Sequence, residues 1–402
     1  MKRLLIFSLV LLMLFGASFA SAAEKLVFWA YEPDEYIQRD IMANIIKDFE
    51  KTFSDVKVEI IYLPKGDFET KLITAMAVGE GPDIFYLDQP LVSKFAADGV
   101  ILNLSSYMRA KDFEKNMFLS GPLNTCEYNG AYYGLPISQT AVALIYNKDL
   151  VSTPPKTWDE FLKIAKAVYK EDNIAAFGVP SGDGWGAWIF PAFVHAAGGE
   201  MVDQTGKKAV FNSQAGVDAL ELWVELLKYS PRKILDSANS FETGHVAMII
   251  NGPWMLDHWK NNWPDLNFGI TLIPKKTRYA TNIGGEDIAI ASYCKYPEEA
   301  WNFIKFVTNK DHAADLAMVM GSFPTRADTA KDPRFTSDPG RKMFMEQMKY
   351  SFARPRARYW LKINDEIISK ALREAMAGEK SAKEALDEAA QRANILLQEG
   401  SK

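Results

Sequence analysis

The chain has 402 residues, with 46 Lys and Arg against 51 Asp and Glu and a formal net charge of -5. Because the charges are interspersed and mildly acidic in balance, we expect neither a nucleic acid nor an anionic membrane as a partner. The length exceeds what one compact core usually holds and predicts two or three domains.

The first 22 residues have the pattern of a secretory signal peptide. Lys2 and Arg3 precede an uncharged apolar run over 4–15, and Ala20-Ser21-Ala22 fits a small-x-small cleavage site. The apolar run is too short to span a bilayer. No Cys follows it for lipid attachment, so we expect a periplasmic protein released without a lipid anchor. Removing Lys2 and Arg3 takes the net charge from -5 to -7.

Strands alternate with helices at the start of the expected mature chain. Apolar or alternating patterns predict strands at 26–30, 56–63 and 82–87, and helical periodicity predicts helices at 37–53 and 68–78. This order is typical of a parallel α/β sheet.

The same rhythm continues to the end of the chain. Two capping boxes, Thr157 to Glu160 and Ser381 to Glu384, each predict the start of a helix, the first of which runs through Tyr169. Further strands are predicted at 143–147, 177–179, 246–250, 268–273 and 288–291, and further helices at 188–197, 214–229, 297–308 and 363–377.

Ligands of open parallel sheets bind beyond the carboxyl ends of the strands, so the residues just after each strand are site candidates. These residues are aromatics, carboxylates, an amide and small residues, which suit a polyol: aromatic faces cover a sugar ring while fixed polar groups meet its hydroxyls. They are Tyr31, Glu32, Asp88, Gln89, Gly252, Pro253, Trp254, Gly284, Gly285 and Glu286.

A glycine-rich segment from Gly182 to Ala187 matches G-x-G-x-x-A, with Asp203 about twenty residues further on. Taken alone, this pattern indicates a dinucleotide site. Pro180 and Ser181 separate it from the preceding strand pattern, and Trp185 would crowd a pyrophosphate. We favour Trp185 and Trp188 as lining of a sugar cleft, with plain core packing as the alternative.

Catalytic and metal-binding patterns are scarce. The four histidines include no H-E-x-x-H pair, and neither a G-x-S-x-G elbow nor a P-loop occurs. Glu286 and Asp287 are adjacent, so in a strand they point to opposite faces and cannot flank one glycosidic bond. We therefore expect no metal, no cofactor and no enzymatic activity. A glycosidase that recruits carboxylates from distant loops stays open as an alternative.

A group of six basic residues has two possible roles, and so does a pair of cysteines. Arg354, Arg356 and Arg358 alternate, and together with Lys65, Lys275 and Lys276 they could clamp a phosphate or carboxylate, or simply lie on a solvated loop. Cys126 and Cys294 could form a disulfide in an exported chain, or remain two separate thiols.

Several motifs in a fixed order resemble the extracellular solute-binding proteins of ABC importers, in the family that includes the maltose-binding protein. The resemblance covers essentially all of the expected mature chain. The motifs are Gly79-Glu80-Gly81-Pro82-Asp83-Ile84, Tyr128-Asn129-Gly130 through Gly134-Leu135-Pro136, Leu144 to Leu150, Pro154 to Glu160, Gly244 to Met248, Asn251-Gly252-Pro253-Trp254, and Ala377 to Ser381 with Glu384-Ala385-Leu386.

The resemblance implies a periplasmic-binding-protein fold of type II, in which two α/β lobes joined by a hinge enclose a ligand cleft. The N-terminal lobe would comprise 23–136 plus 281–324, and the C-terminal lobe 137–280 plus 325–402. Crossovers are expected near 136–140, 275–282 and 323–325. Ligand binding would shift an open-closed equilibrium, and a membrane permease would recognise the closed monomer.

The resemblance also assigns contact positions. Trp254 matches the sugar-stacking tryptophan of the family. Leu87 stands where the maltose binder has another tryptophan, which argues against maltose as the ligand. The remaining implied or candidate ligand contacts are Asp88, Glu32, Gln89, Tyr31, Gln139, Thr140, Trp185, Trp188, Gly284, Gly285, Glu286, Arg356 and Trp360.

The sequence thus favours a carbohydrate, either a mono- or an oligosaccharide, that is captured and delivered to an ABC permease. Three alternatives remain. The ligand could be an anionic solute such as glycerol phosphate, held by the basic group. The chain could instead be an exported enzyme acting on glycosides, or a ligand-binding module of a surface adhesin or chemoreceptor.

Overall fold

The structure is a computed structural model that describes residues 23–32 and 36–400, without the side chains of residues 36–38. The expected signal peptide at 1–22 lies outside the described residues. Within the described part, no helix is both long and apolar enough to cross a membrane.

Twelve strands are distributed over two main sheets and two short pairs in the described residues. The strands are β1 (Glu24–Tyr31), β2 (Val56–Leu63), β3 (Ile84–Asp88), β4 (Glu127–Tyr128), β5 (Ala131–Tyr132), β6 (Leu135–Pro136), β7 (Ala143–Asn147), β8 (Met248–Asn251), β9 (Phe268–Thr271), β10 (Thr281–Asn282), β11 (Glu286–Ile290) and β12 (Ser351–Phe352).

The larger sheet has the order β2-β1-β3-β11-β6, and the smaller one has the order β8-β7-β9. The prediction of parallel strands is correct for β2, β1 and β3. It is wrong for β11, which runs antiparallel to both neighbours, and for the whole smaller sheet. These strands reach their partners from distant parts of the chain, so local alternation with helices does not set their direction.

The helices are α1 (Tyr36–Thr52), α2 (Lys65–Val78), α3 (Gln89–Ala97), α4 (Ser120–Thr125), α5 (Trp158–Val168), α6 (Gly184–Ala196), α7 (Gln214–Leu227), α8 (Arg232–Leu235), α9 (Met255–Asn262), α10 (Pro297–Val307), α11 (Ala313–Val319), α12 (Pro333–Thr336), α13 (Pro339–Met348), α14 (Trp360–Lys362), α15 (Ser369–Met376) and α16 (Ala382–Glu399). The predicted helices appear in order as α1, α2, α5, α6, α7, α10, α15 and α16, and eight further helices of the described residues were not predicted. A π-helical segment, Ile363–Ile368, joins α14 to α15.

Both predicted capping boxes are confirmed, at Thr157 for α5 and at Ser381 for α16. Two other predictions differ from the structure. Helix α6 begins at Gly184, four residues earlier than expected, because the Asp183 side chain accepts a hydrogen bond from the backbone N–H of Gly186. No strand forms at 177–179, and the nearest isolated bridge joins Ala175 to Val246.

Two large hydrophobic cores divide the molecule into two α/β lobes. One core surrounds the five-stranded sheet and draws its buried residues from 26–137 and 288–316. The other draws on 142–280 and 360–397, with a smaller cluster packed under β7, α9 and α13. We call these the N-terminal and C-terminal lobes. Cys126, which is buried, and Cys294, which is half-buried, are both free thiols.

Three chain segments run side by side between the lobes. The backbone of Gln139 pairs with that of Phe323, and the backbone of Thr140 pairs with that of Gly284. Strand β10 pairs with β12 immediately after them. Asn282 also donates a side-chain hydrogen bond to the carbonyl of Trp188 at the side of α6. These contacts place the carboxyl ends of β1 and β3, and the amino end of β11, beside the start of α6.

Candidate functional site

Polar side chains come together at one edge of the N-terminal-lobe sheet, from the carboxyl ends of β1 and β3 and the amino end of the antiparallel strand β11. Glu286 opens β11 directly opposite Asp88 at the end of β3. The hydroxyl of Tyr31, at the end of β1, donates to Oε2 of Glu286 at 2.8 Å. Lys65 lies 3.9 Å from Oε1 of the same carboxylate and 5.2 Å from the centre of the Tyr31 ring. One wall of the cleft is therefore a hydrogen-bonded polar surface.

Three tryptophans of the C-terminal lobe form an aromatic patch. The rings of Trp185 and Trp188 stack with centroids 5.3 Å apart and planes 6° apart. Trp254 meets Trp185 edge to face, with centroids 6.1 Å apart. Trp254 and Trp185 are 36% and 38% exposed, which is unusual for indoles in a chain with large buried cores. The exposed faces are available to cover an apolar ligand surface.

Two glycines set the pose of Trp254. A Cβ added at Gly252 would lie 2.0 Å from the indole ring, and one added at Gly321 would lie 3.0 Å from the Cβ of Trp254. Gly321 also has a φ of +56°, which favours glycine. Both positions must stay small for the ring to keep its place.

A chamber of about 580 Å³ lies between the two lobes beside Trp254. Its N-terminal-lobe wall carries tyrosines and Lys65, and its C-terminal-lobe wall carries Trp254 and the first turns of α9. The lining residues are Tyr31, Glu32, Met42, Tyr62, Lys65, Tyr86, Trp254, Met255, Asp257, His258, Asn262, Val319, Met320 and Gly321. Its size and mixed lining are those of a small-molecule site.

An arginine crosses from the C-terminal side to the polar wall. The Arg354 guanidinium forms a two-point ion pair with Asp88, in which Nη1 donates to Oδ2 at 2.9 Å. Both side chains are largely buried. Asp88 is the N-cap residue of α3, yet its side chain caps no backbone N–H, because it faces Arg354 instead. This pair fixes the orientation of the carboxylate at the cleft.

Burial shifts the ionisation of the polar wall. Desolvation raises the pKa of Glu286 to about 7, against the opposing effect of Lys65. Burial and the neighbouring Asp88 and Glu286 carboxylates raise the pKa of Glu69, on α2, to about 7. Desolvation, followed by the charge of Glu286, also raises the pKa of Tyr31. Ligand hydroxyls that donate to these carboxylates would favour their charged forms.

Several predicted contact residues lie at or beside this cleft. Tyr31, Asp88 and Glu286 form the polar wall, and Trp185, Trp188 and Trp254 form the aromatic patch. Glu32 lines the chamber but is exposed and paired with Arg39 at 2.6 Å. Gly284 lies against Trp188, since an added Cβ would come within 3.0 Å of that ring.

Three other predicted contact residues, Gln139, Gly285 and Thr140, do not line the chamber. Gln139 donates its side-chain amide to the carbonyl of Pro324 at 2.7 Å, within the crossover. Gly285, at φ +137°, leaves no room for a Cβ, which would lie 2.2 Å from the carbonyl oxygen of Ser138. The Oγ1 of Thr140 is buried and has no hydrogen-bond partner among the described residues.

The structure places Gln89, Arg356 and Trp360 away from the chamber lining. Gln89 is buried beside Arg354 in a separate cavity of about 140 Å³. Arg356 donates to the carbonyl of Asn124 at 3.1 Å and lines that same separate cavity. Trp360 is 2% exposed, because it opens the helical run that packs into the C-terminal core.

The alternating arginines bind protein groups rather than standing free. Arg354 pairs with Asp88, Arg356 with Glu127 and Arg358 with Asp98. The solvated-loop interpretation is wrong for Arg354, which is buried. The phosphate-clamp interpretation loses its three arginines, because each is paired with a carboxylate of the protein. Both interpretations treated the segment alone, whereas its partners lie more than two hundred residues away in sequence.

The glycine-rich segment Gly182 to Ala187 does not offer an open helix start. The carboxylate of Asp183 occupies the N-terminus of α6, accepting from the N–H of Gly186 at 3.0 Å. A Cβ at Gly186 would lie 1.8 Å from the carbonyl oxygen of Ser181, so this glycine serves a tight backbone turn. The motif presents Trp185 and Trp188 side by side on the first turn of the helix.

The expectation for the adjacent acidic pair is confirmed. Glu286 faces the cleft, whereas Asp287 is fully buried on the other side of β11 and accepts from the Thr125 hydroxyl at 3.1 Å. Among the described residues, no group of three or more His, Cys, Asp or Glu is arranged to hold a metal ion.

Sequence reasoning missed Tyr62, Glu69 and Tyr86 as cleft residues. Tyr86 lies inside the third predicted strand, and two-residue alternation places it on the same face as Asp88. That alternation could have identified it. Tyr62 lies one position before the end of β2, so counting only residues after each strand passed over it.

The molecule has two α/β lobes, and an aromatic patch on one lobe faces a polar wall on the other across a cleft. This arrangement is that of a protein that encloses a small solute between its lobes. The sequence profile of the bacterial extracellular solute-binding protein family matches residues 44–343. The chain belongs to this family, which confirms the resemblance inferred from its motifs.

Individual relatives cover most of the chain. A maltotriose-binding protein of Pyrococcus abyssi is 27% identical over 346 residues, covering 83% of this chain and 73% of that protein. A galactooligosaccharide-binding protein of Bacillus subtilis is 22% identical over 417 residues, covering 94% of this chain and 90% of that protein.

Solved structures share the fold. An ABC transporter solute-binding protein from Thermotoga lettingae, bound with α-D-tagatose, superposes with a TM-score of 0.82 at 27% identity, covering 93% of this chain and all of that one. A maltose-bound protein of T. maritima has a TM-score of 0.79 at 25% identity and covers 93% of this chain. The predicted two-lobed fold is confirmed.

Proposed function

We propose that this protein captures a carbohydrate in the cleft between its lobes and delivers it unchanged to an ABC transporter permease. The observation that carries the proposal is the pairing of an exposed indole face, Trp254, with a buried polar wall formed by Tyr31, Asp88 and Glu286. Apolar ring faces and equatorial hydroxyls of a sugar require these two kinds of surface at once.

The names of relatives support the same ligand class. The relatives described above are named for maltotriose and galacto-oligosaccharide, and the solved structures hold tagatose and maltose. These ligands differ in ring form, linkage and length, so they favour a carbohydrate without selecting one. Leu87, which stands where the maltose binder has a tryptophan, is fully buried in the N-terminal core and does not line the chamber, so its identity does not argue against maltose.

The proposed contacts are the side chains that face the cleft from both lobes. Trp254 would stack on a sugar ring, with Trp185 and Trp188 extending the aromatic surface. Asp88 and Glu286 would accept hydrogen bonds from hydroxyls, and Arg354 and Lys65 would donate. Contacts from both lobes to one ligand stabilise the closed form and shift the hinge equilibrium towards it.

The proposed lobes are 23–136 plus 281–324 and 137–280 plus 325–402. The two large hydrophobic cores support most of this division, as do the backbone pairs Gln139–Phe323 and Thr140–Gly284 that connect neighbouring crossovers. Ala314, Ala317 and Phe323 are the exception, because they pack in the smaller cluster of the C-terminal lobe. The hinge would bend at these pairs.

The proposed location is the periplasm, reached through cleavage of residues 1–22 and without lipid attachment. The family supports a site outside the cytoplasm. The proposed working form is a monomer that meets the permease in its closed state, with no nucleic acid, metal or cofactor involved.

We also propose that the protein binds its ligand without converting it. The cleft carboxylates of Asp88 and Glu286 are held by Arg354 and by Tyr31, respectively, which suits fixed hydrogen-bond acceptors. The anionic-solute alternative has less support, because the arginines that suggested it are occupied by carboxylates of the protein.

Titration calorimetry against a panel of mono- and oligosaccharides, with glycerol phosphate included, tests the proposal. We expect one sugar or one homologous series to bind with one-to-one stoichiometry and to be recovered chemically unchanged by chromatography. Conversion of the bound sugar would contradict the binding-only function. Binding of glycerol phosphate alone, with an affinity that collapses in high salt, would replace carbohydrate by an anionic ligand.

A further inference from the structure

Three arginines at alternate positions connect the two lobes outside the chamber. Arg354, Arg356 and Arg358 follow β12 in the C-terminal lobe, and each pairs with a carboxylate of the N-terminal lobe. The chain forms neither helix nor turn at 353–357, and Ala357, between two of the arginines, packs against the C-terminal core. We call residues 354–358 the arginine strap. One side of the strap is anchored in its own lobe, and the other side binds the opposite lobe.

The arginine strap runs along helix α3. Arg354 pairs with Asp88 at the start of α3, and Arg358 pairs with Asp98 at its end. Helix α3 has nine residues and is therefore about 13 Å long, and four residues of extended chain also span about 13 Å. The strap and the helix match in length, so the pairs at both ends form together.

The two outer pairs, formed by Arg356 and Arg358, lie behind the N-terminal-lobe sheet as seen from the cleft. Glu286 of β11 faces the cleft, whereas Asp287 points to the other face and accepts from the Thr125 hydroxyl at 3.1 Å. Thr125 ends α4, and β4 begins two residues later with the partner of Arg356. Helix α3, whose end carries the partner of Arg358, packs against both elements. Strand β11, which continues from a crossover, therefore lies between the cleft and the outer pairs.

A second space between the lobes lies at the arginine strap. This groove of about 650 Å³ is lined by 127–129 of the N-terminal lobe and by 202–207, the strap and the end of α16 of the C-terminal lobe. None of its lining residues lines the chamber beside Trp254. Two bodies that rotate about a hinge approach each other on one side of it and separate on the other. Closing the chamber therefore widens the groove and pulls the outer pairs apart.

We propose that the arginine strap is a conformational device that opposes closure: the pairs Arg356–Glu127 and Arg358–Asp98 stabilise the open arrangement, and ligand binding has to separate them. This inference rests on the proposed capture of a carbohydrate and adds a control of affinity by residues that do not touch the ligand. Since the open-closed equilibrium scales the observed affinity, a pair that shifts this equilibrium a few-fold changes Kd by a similar factor.

The predicted signature is opposite to that of a ligand contact. Removing a contact weakens binding, whereas removing a pair that opposes closure strengthens it. The side chains of Arg356 and Arg358 are 47% and 32% exposed, so dissolved salt screens both outer pairs. The affinity of the wild type for an uncharged sugar should therefore rise with ionic strength, although the sugar itself carries no charge.

The test is titration calorimetry of the wild type, Arg356→Gln, Arg358→Gln and the double variant, at about 0.02 M and about 0.5 M salt. The probe is the uncharged sugar that the wild type binds most tightly in a panel that includes tagatose, maltose and maltotriose. At low salt we expect each single variant to lower Kd about 2-fold and the double variant about 3- to 10-fold, with little difference at high salt. Lys305→Gln, which removes a pair with Asp112 inside the N-terminal lobe, is the matched control and should keep the wild-type Kd.

Asp98→Asn removes one outer pair from the side of the N-terminal lobe. It should lower Kd as Arg358→Gln does, and combining the two should bring no further gain, because both changes remove the same interaction. Asp98 also pairs with Lys94 within the same lobe, and closure does not alter that pair. This variant decides the case if Arg358→Gln folds poorly.

The opposite results would overturn the proposed role of the strap and leave carbohydrate capture standing. These are an unchanged or higher Kd in the arginine variants, an equal gain in Lys305→Gln, and a wild-type affinity that does not rise with salt. If the wild type bound no sugar of the panel, the carbohydrate function itself would fall, and the role of the strap in capture with it.

Discussion

Replacing Trp254 by alanine tests the aromatic half of the cleft. The side chain is 36% exposed, which leaves about 90 Å² of an indole that can bury up to about 250 Å² in all. At about 25 cal/mol per Å², a ligand that covers this face gains about 2 kcal/mol, or about 30-fold in Kd. We therefore expect Trp254→Ala to raise Kd by about that factor.

The assay is titration calorimetry with the best ligand of the panel, alongside a thermal unfolding scan. Trp263→Ala is the matched control, because Trp263 ends the same helix, α9, whose start is capped by Trp254. We expect the control to keep its affinity. An unchanged Kd for Trp254→Ala in a protein that melts normally would remove the indole from the site and refute the stacking argument.

Three further predictions concern the groups around the cleft. Gly252→Ala should displace the stacking indole and weaken binding at least 10-fold in calorimetry, whereas Gly66→Ala, where an added Cβ meets nothing within 4 Å, should not. Arg354→Gln should lower the free energy of unfolding in urea by about 3 kcal/mol, because it leaves a largely buried carboxylate without its cation; the half-exposed Arg356→Gln should cost less than about 1 kcal/mol. Burial raises the pKa of Glu286 to about 7, so the folded protein retains a proton that the unfolded chain loses at lower pH. Its melting temperature should therefore fall between about pH 5 and about pH 8, and Glu286→Gln should flatten that slope. Equal effects in the paired glycine or arginine variants, or a slope unchanged by Glu286→Gln, would contradict the corresponding reasoning.

Local signals in the sequence predicted many of the longer elements but missed others, including α3, α9 and α13. Hydrophobic periodicity located α1, β2 and α10 to within a few residues, because each buries one face or one stripe along its own length. The capping boxes at Thr157 and Ser381 appear as predicted, since their hydrogen bonds are made within four residues. Strand direction in the second sheet was not predictable in this way, because β7 pairs with strands about a hundred residues further along the chain.

In the candidate site, too, the residues that local sequence identifies differ from those that depend on distant contacts. The rule that ligands meet the carboxyl ends of parallel strands identified Tyr31 and Asp88. Glu286 lies on the same polar wall, but at the amino end of the antiparallel strand β11, which the rule does not cover. Arg354 could not be assigned to that wall from its neighbours, because its partner is 266 residues away in sequence. Trp360 shows the converse: an aromatic near a family contact position lies in the core, since burial depends on how the final helices pack.

The most direct measurement of the central claim is a crystal structure of the protein with the best sugar of the panel. We predict one ligand between the lobes, with a ring face against Trp254 and hydroxyls within hydrogen-bond distance of Asp88 and Glu286. A sugar bound outside the interlobe cleft, or one that leaves Trp254 exposed and both carboxylates without contact, would contradict capture by this cleft.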